Sequence, residues 1–134
     1  MTIKQLFEQC NDIAQNSDCK RGKVGAILIR KNNSIIGTGY NTIPNKTPCT
    51  NTNCDMSKRC KQTVHAEIAA LLNIDSYKDL YAIILSLSPC LTCAKIIVYA
   101  GIQKVYYDKK YSNPDGINYL KNNGIKIIQK EELK

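Results

Sequence analysis

Two short stretches hold side chains whose types and spacing could do metal chemistry. In VHAEIAAL, Val64 to Leu71, the chain's only histidine, His65, stands two positions before Glu67. In SPCLTC, Ser88 to Cys93, Pro89 precedes Cys90, and Cys93 follows three positions later. Alone, a histidine near a helix start is more often a surface or cap residue. Alone, a Cys-x-x-Cys pair is ambiguous between redox, structural metal and neither. Together they supply one imidazole and two thiols, three ligands for a tetrahedral zinc whose fourth position stays open to water, as catalytic zinc requires. Two thiolates cancel the ion's formal charge, so hydroxide can bind without charge accumulating. Glu67 is too close to His65 along the chain to be a comfortable fourth ligand, but it can reach that water. A zinc-bound water loses its proton near neutral pH, and a neighbouring carboxylate can carry it. Such an arrangement suits hydrolytic removal of an amine from a heterocycle, with the zinc-bound hydroxide as nucleophile and Glu67 as proton shuttle.

These residues need elements to hold them. HAEIAALLN, His65 to Asn73, is strongly helical in pattern, and PCLTCAKIIVYAGI carries a helix start at Pro89 and a stop at Gly101. Cys90 and Cys93 then share one helical face, near N–H groups that favour thiolate. LYAIILSLS, between the two helices, is a continuous aliphatic run and reads as a buried strand. MTIKQLFEQCNDIAQ reads as an amphipathic helix with Ile3, Leu6, Phe7, Cys10 and Ile13 on one stripe. Val24 to Ile29 and Ser34 to Tyr40 flank Lys31-Asn32-Asn33 as a hairpin. KVYYD is a strand, Asp115 to Asn122 a helix closed by Gly124, and IKIIQ a last strand. Strands alternating with helices predict an α/β layered domain around one mixed sheet. From Thr42 to Thr63 the chain is polar and aperiodic, rich in Pro, Asn, Thr and Cys, and three of its residues are cysteines, which favours a staple.

The 134 residues fit one domain, and a 43% apolar content is enough for a core. No run of eighteen apolar residues and no signal-peptide stretch is visible, so a soluble cytoplasmic protein without a membrane partner is expected. Seven cysteines without a targeting segment point to metal ligation before disulfides. The net charge of +8 allows a nucleic-acid partner, an anionic small substrate or merely a lysine-rich solvated surface, and the lysines are scattered rather than blocked.

His-x-Glu followed by Pro-Cys-x-x-Cys is the signature of the zinc nucleobase deaminases. Here the chain resembles the zinc-dependent cytidine and deoxycytidylate deaminase superfamily, and within it the dCMP deaminases, including the competence-operon deaminase-like proteins. KVGAILI, GTGYNTIP, VHAE, LSPCLTCAKIIVYAGIQKVYY and YSNPDGINYLKNNGIKI carry the resemblance, which runs from Leu6 to about Ile128. It implies a three-layer α/β/α cytidine-deaminase-like fold with a central mixed sheet of about five strands, as a single catalytic domain over residues 1–134. It implies hydrolysis of dCMP to dUMP and ammonia, feeding thymidylate synthesis. By resemblance Asn41 binds the sugar, the Ala66 amide contacts the base carbonyl, the Ser88 carbonyl contacts the leaving amine, and Tyr111 lies near the nucleotide. Lys23 is the choice for a phosphate contact, with a plain surface lysine as the alternative. Homo-oligomers (hexamers or dimers), dCTP and dTTP effectors, and Mg2+ carried with an effector nucleotide belong to the same expectation; nucleic acid does not. Two positions depart from the family pattern: Ala69 stands where asparagine is usual, and Thr42 where glycine is usual. Both bear on nucleotide preference and effector control rather than on the zinc chemistry.

Relatives in this family also tie the long loop down with a structural zinc. The resemblance assigns four thiolates to it here: Cys19, Cys49, Cys54 and Cys60, with free thiols or a disulfide as the alternative. Cys10, on the apolar stripe of the first helix, is read as core. The rival readings are a tRNA adenosine deaminase, whose helix HAEIAAL also resembles and whose RNA partner would suit the charge; a deaminase of another cytosine nucleotide or nucleoside; and an inactive zinc-binding module, against which the intact Glu67 argues.

Overall fold

Apolar residues on both sides of the strand backbones dictate a sheet covered on both faces. The structure is a computed structural model and describes residues 1–19, 22–44 and 63–133. Along it run α1 (Ile3–Ala14), β1 (Gly25–Ile29), β2 (Ile35–Tyr40), α2 (Ala66–Leu72), β3 (Ala82–Leu87), α3 (Leu91–Tyr99), β4 (Lys104–Lys109), α4 (Asp115–Asn122), β5 (Lys126–Gln129) and a 3-10 turn, Lys130–Glu132. The five strands lie in the order β2-β1-β3-β4-β5. β1 pairs antiparallel with β2 and β3, while β3, β4 and β5 run parallel, so the sheet is mixed. Parallel neighbours need crossovers, and α3 and α4 supply them.

Successive strand residues point to opposite faces. Ala26, Leu28, Ile83, Leu85 and Val105 pack with α2, α3 and α4, whereas Ile27, Ile29, Ala82, Ile84 and Tyr106 pack with α1. The result is the expected three-layer α/β/α sandwich. α1 is held at its start by a capping box, in which the Gln5 N–H donates to Thr2 Oγ1 and the Thr2 N–H to Gln5 Oε1. Its stripe buries Leu6, Phe7 and Cys10 completely, and Phe7 meets Tyr106 edge to face at 6.5 Å. Among the described residues no helix is long and apolar enough to cross a membrane.

Two features fix the helices that matter for the site. Gly101 and Gly124, with φ of +85° and +75°, end α3 and α4. In each case the next residue's N–H reaches back to the helix, Ile102 to the Ile97 carbonyl and Ile125 to the Leu120 carbonyl, a Schellman stop only glycine adopts without strain. The second feature is the seat of α2. A Cβ on Gly39 of β2 would overlap the Ala70 nitrogen and lie 2.7 Å from the Ala66 carbonyl oxygen, so α2 rests backbone to backbone on the strand. Ala69, 9% exposed, belongs to this contact. The sequence pattern places every helix and strand above to within two residues, and it does not give the 3-10 turn. The start of α3 differs: Pro89 lies ahead of it and Cys90 is its N-cap, with extended backbone.

Gly39→Ala is expected to lower unfolding stability by about 1–3 kcal/mol, because the packed helix cannot yield without cost. A denaturant midpoint lowered at unchanged slope would show this, and an unchanged midpoint would refute the contact.

Candidate metal and catalytic site

The site is built from the starts of two helices on the same face of the sheet. β2 runs out through Asn41 into Thr42, which forms an isolated antiparallel bridge with Val64. The Val64 N–H donates to the Thr42 carbonyl at 2.7 Å, and the Thr42 N–H to Val64 at 3.1 Å. That bridge delivers His65 as the N-cap of α2, in extended conformation with no cap bond from its ring. Cys90 is the N-cap of α3 in the same way, and Cys93 is the third residue of that helix. N-cap side chains project beyond their helices, so the two starts can meet.

They do meet. His65 Nδ1 lies 3.1 Å from Cys93 Sγ and 3.5 Å from Cys90 Sγ, and the three ligand atoms all fall within 4.8 Å of one another. Bonds of about 2.0–2.1 Å to nitrogen and 2.3 Å to sulfur at a tetrahedral angle would set each N···S pair about 3.6 Å apart. The donor set and its spacing therefore fit zinc. Cys93 is buried, while His65 and Cys90 are partly exposed, so the ligand cluster opens to solvent on one side. Hydrogen bonding with Cys93 pulls the Cys90 thiol down to about 3; partial burial opposes this, and His65 adds to it. Cys10 stands at the other extreme. Burial pushes its thiol up to about 12, and Cys10 Sγ faces the Ile84 carbonyl at 3.6 Å, as a core residue should.

Glu67 occupies the first turn of α2, one residue inside Ala66, and is fully buried. An anion there is favoured by the helix N-terminus, and burying it is tolerable only where polar groups answer it. Ala66, as the first helical residue, has an N–H without an intrahelical acceptor. Ser88 is almost wholly buried; its N–H donates to the Lys109 carbonyl at 2.9 Å, and its hydroxyl oxygen accepts the Tyr111 N–H at 2.7 Å. That bond brings Tyr111 to the turn ahead of Cys90.

Asn41 is buried and already occupied. Its Oδ1 accepts the Val24 N–H and its Nδ2 donates to the Gly22 carbonyl, both at 2.8 Å, leaving one amide hydrogen and one lone pair for any ligand. Lys23 is exposed, and its Nζ reaches the Gln15 carbonyl beyond α1 at 3.4 Å. Cys19 is buried, with its N–H donating to Ser17 Oγ. Cys49, Cys54 and Cys60 lie outside the described residues. Ser17, not singled out from the sequence, also donates to the Asn41 carbonyl at 2.7 Å and so ties the Cys19 segment to the end of β2. A lone serine in a polar stretch carries no sequence signal for this.

A His-Cys-Cys cluster spaced to hold zinc at paired helix starts, on a mixed sheet sandwiched by helices, is the kind of site a metallohydrolase uses. The family model for the cytidine and deoxycytidylate deaminase zinc-binding region matches residues 1–109, and the chain belongs to that family. It is 33% identical over 132 residues to ComE operon protein 2 of Bacillus subtilis (strain 168), covering 94% of this chain and 69% of that protein. It is 35% identical over 127 residues to the deoxycytidylate deaminase of Saccharomyces cerevisiae, covering 87% of this chain but only 40% of the yeast protein. The crystal structure of dCMP deaminase from the cyanophage S-TIM5 in complex with dCMP and dUMP superposes with a TM-score of 0.81 at 33% identity, over 95% of both chains.

In metal-free protein, alkylation of Cys90 by iodoacetamide is expected to proceed at a nearly constant rate from about pH 8 down to about pH 5, because a thiol with lowered pKa remains thiolate throughout. Cys10 should stay unmodified across that range. Peptide mapping by mass spectrometry reads both, and a Cys90 rate that collapses below pH 8 would contradict the thiolate assignment.

Proposed function

We propose that this chain deaminates dCMP, taking up water and releasing dUMP and ammonia, and so supplies the precursor of thymidylate. The observation that supports this most directly is the near-complete superposition, at 33% identity, on a dCMP deaminase in complex with dCMP and dUMP, together with His65, Cys90 and Cys93 meeting at zinc-ligand spacing. When bound, zinc would lower the pKa of water toward neutrality and make it a nucleophile at the ring carbon bearing the amine.

The chain's own residues supply the rest. Glu67 accepts the proton from the attacking water and delivers it to the adjacent ring nitrogen. It then takes the proton of the hydroxyl now on the ring carbon and passes it to the amine as the C–N bond breaks and the carbonyl forms, so one water is consumed and one ammonia leaves. The Ala66 N–H holds the base carbonyl, and the Ser88 carbonyl accepts from the departing amine. Asn41 offers its remaining amide valence to the sugar, Tyr111 borders the nucleotide, and Lys23 is the candidate for its phosphate. The same reading takes residues 1–134 as one catalytic domain of a cytoplasmic homo-oligomer, hexamer or dimer, with dCTP and dTTP, carried with Mg2+, as effectors. A second, closed zinc site is formed by Cys19, Cys49, Cys54 and Cys60, and Cys19, between α1 and β1, is buried.

A deamination screen over cytidine, deoxycytidine, CMP, dCMP, dCTP and an anticodon stem-loop, with and without dCTP and dTTP, tests the substrate. dCMP should be preferred, and turnover of the stem-loop alone would replace this reading with a tRNA adenosine deaminase. Glu67→Gln should cut turnover by about 10²–10⁴-fold or more while zinc content is retained; near-normal activity would refute the shuttle. Metal analysis should find two zinc ions per chain, falling to one in Cys54→Ser. One ion per chain, unchanged by that substitution, would eliminate the second site.

A further inference from the structure

Cys90 and Cys93 are held by different means. Cys93 lies inside α3, where the helical ladder fixes its backbone. Cys90 is the N-cap: its carbonyl accepts the Ala94 N–H at 2.9 Å, but the peptide that precedes it lies outside the helix. Something else must hold that peptide. The Pro89–Cys90 backbone is covered by the start of α4. A Cβ on Gly116 would overlap the Pro89 carbonyl oxygen and stand 2.9 Å from both the carbonyl carbon and the oxygen of Cys90.

Nothing in the backbone of α4 calls for glycine there, since Gly116 is helical and, of the glycines, Gly101 and Gly124 alone have positive φ. Glycine is a poor helix former, so its presence is explained by the contact rather than by the helix. From the other side Ser88 is pinned by the Lys109 carbonyl and the Tyr111 N–H. The 109–116 segment thus grips the turn that presents Cys90 on both sides.

We propose that Gly116 is a positioning residue for the metal site, admitting α4 against the Pro89–Cys90 peptide so that Cys90 Sγ is set relative to His65 Nδ1 and Cys93 Sγ. The inference rests on the reading of His65, Cys90 and Cys93 as the metal-binding set. Any side chain at 116 must push either α4 or this peptide, and the buried Ser88 anchor limits how far the peptide can yield. Supporting residues one step removed from a metal commonly change its affinity by about 10–100-fold when altered.

Cobalt(II) titration tests this without reference to turnover, because thiolate-to-cobalt charge-transfer and d–d bands report the ligand geometry. Difference spectra against His65→Ala isolate the three-ligand site from any four-cysteine site. Gly116→Ala is expected to bind cobalt about 10–100-fold more weakly, with shifted d–d bands. Ser88→Ala, which removes the Tyr111 acceptor without overpacking, should move both readouts the same way by less. Gly25→Ala is a control for general destabilisation: its Cβ would crowd the Cys10 carbonyl and the Ala14 nitrogen in α1, across the sheet. It should lower stability and leave the cobalt bands in place. Parent-like affinity and bands in Gly116→Ala would overturn the proposal; if that variant does not fold, parent-like behaviour of Ser88→Ala overturns it. A parent protein with no His65-dependent cobalt bands would instead defeat the metal reading itself.

Discussion

Two thiols and an imidazole must be brought within tetrahedral reach of one another without a covalent tether, and the seating of α2 and α3 on the sheet serves that constraint. The chain meets it by placing ligands at helix starts rather than along helix sides. An N-cap residue keeps an extended backbone while its carbonyl already accepts the first helical bond, as the Cys90 carbonyl does from Ala94. Its side chain is therefore anchored through the backbone yet points past the helix end. Two such ends, at His65 and Cys90, converge, with Cys93 one turn further in. The helix N-termini also carry partial positive charge, which favours the thiolates and the buried carboxylate of Glu67.

Holding the helix ends there requires backbone-to-backbone packing, and the chain concedes local propensity for it. Gly39 weakens a strand and Gly116 weakens a helix, yet each lets an element approach the ligand-bearing turn more closely than any side chain would permit. The first contact seats α2, with His65 and Glu67 at its start; the second seats the peptide before Cys90. On the far face α1 also meets β1 closely, through Gly25, and the side chains of Leu6, Phe7 and Tyr106 pack beside that contact.

What could be read from the sequence follows the same division. The elements were legible because alternation and helical periodicity record burial directly, and the two α/β crossovers carry glycine stops that have few other uses. The metal ligands were legible because His65, Cys90 and Cys93 are chemically rare residues at a specific spacing. The supporting contacts were not. Ser17, Ser88 and Asn41 act through bonds to distant backbone groups, 24, 23 and up to 19 residues away, and such pairings leave no local pattern. Asn41 shows the limit well. Resemblance assigns it to the sugar, while its geometry first commits it to the Gly22 and Val24 backbone, so whatever it does for a nucleotide it does as a side chain already fixed in place.

The two cysteines on opposite faces of the sheet make the same point about chemistry. Cys10 and Cys90 are one residue type in one chain, with thiols pushed to about 12 and to about 3. Cys10 gains nothing from ionising, because it sits among apolar side chains with a carbonyl oxygen opposite. Cys90 sits half-exposed at a helix start beside a second thiol and an imidazole, where a negative charge is answered three ways. Cysteine count alone could not have separated a filler from a ligand. Position on the helix did: a buried stripe residue of α1 becomes core, and a residue just ahead of α3, kept there by Gly116, becomes a donor. The reactive character of the site is thus decided by where two helices begin, one step before any metal arrives.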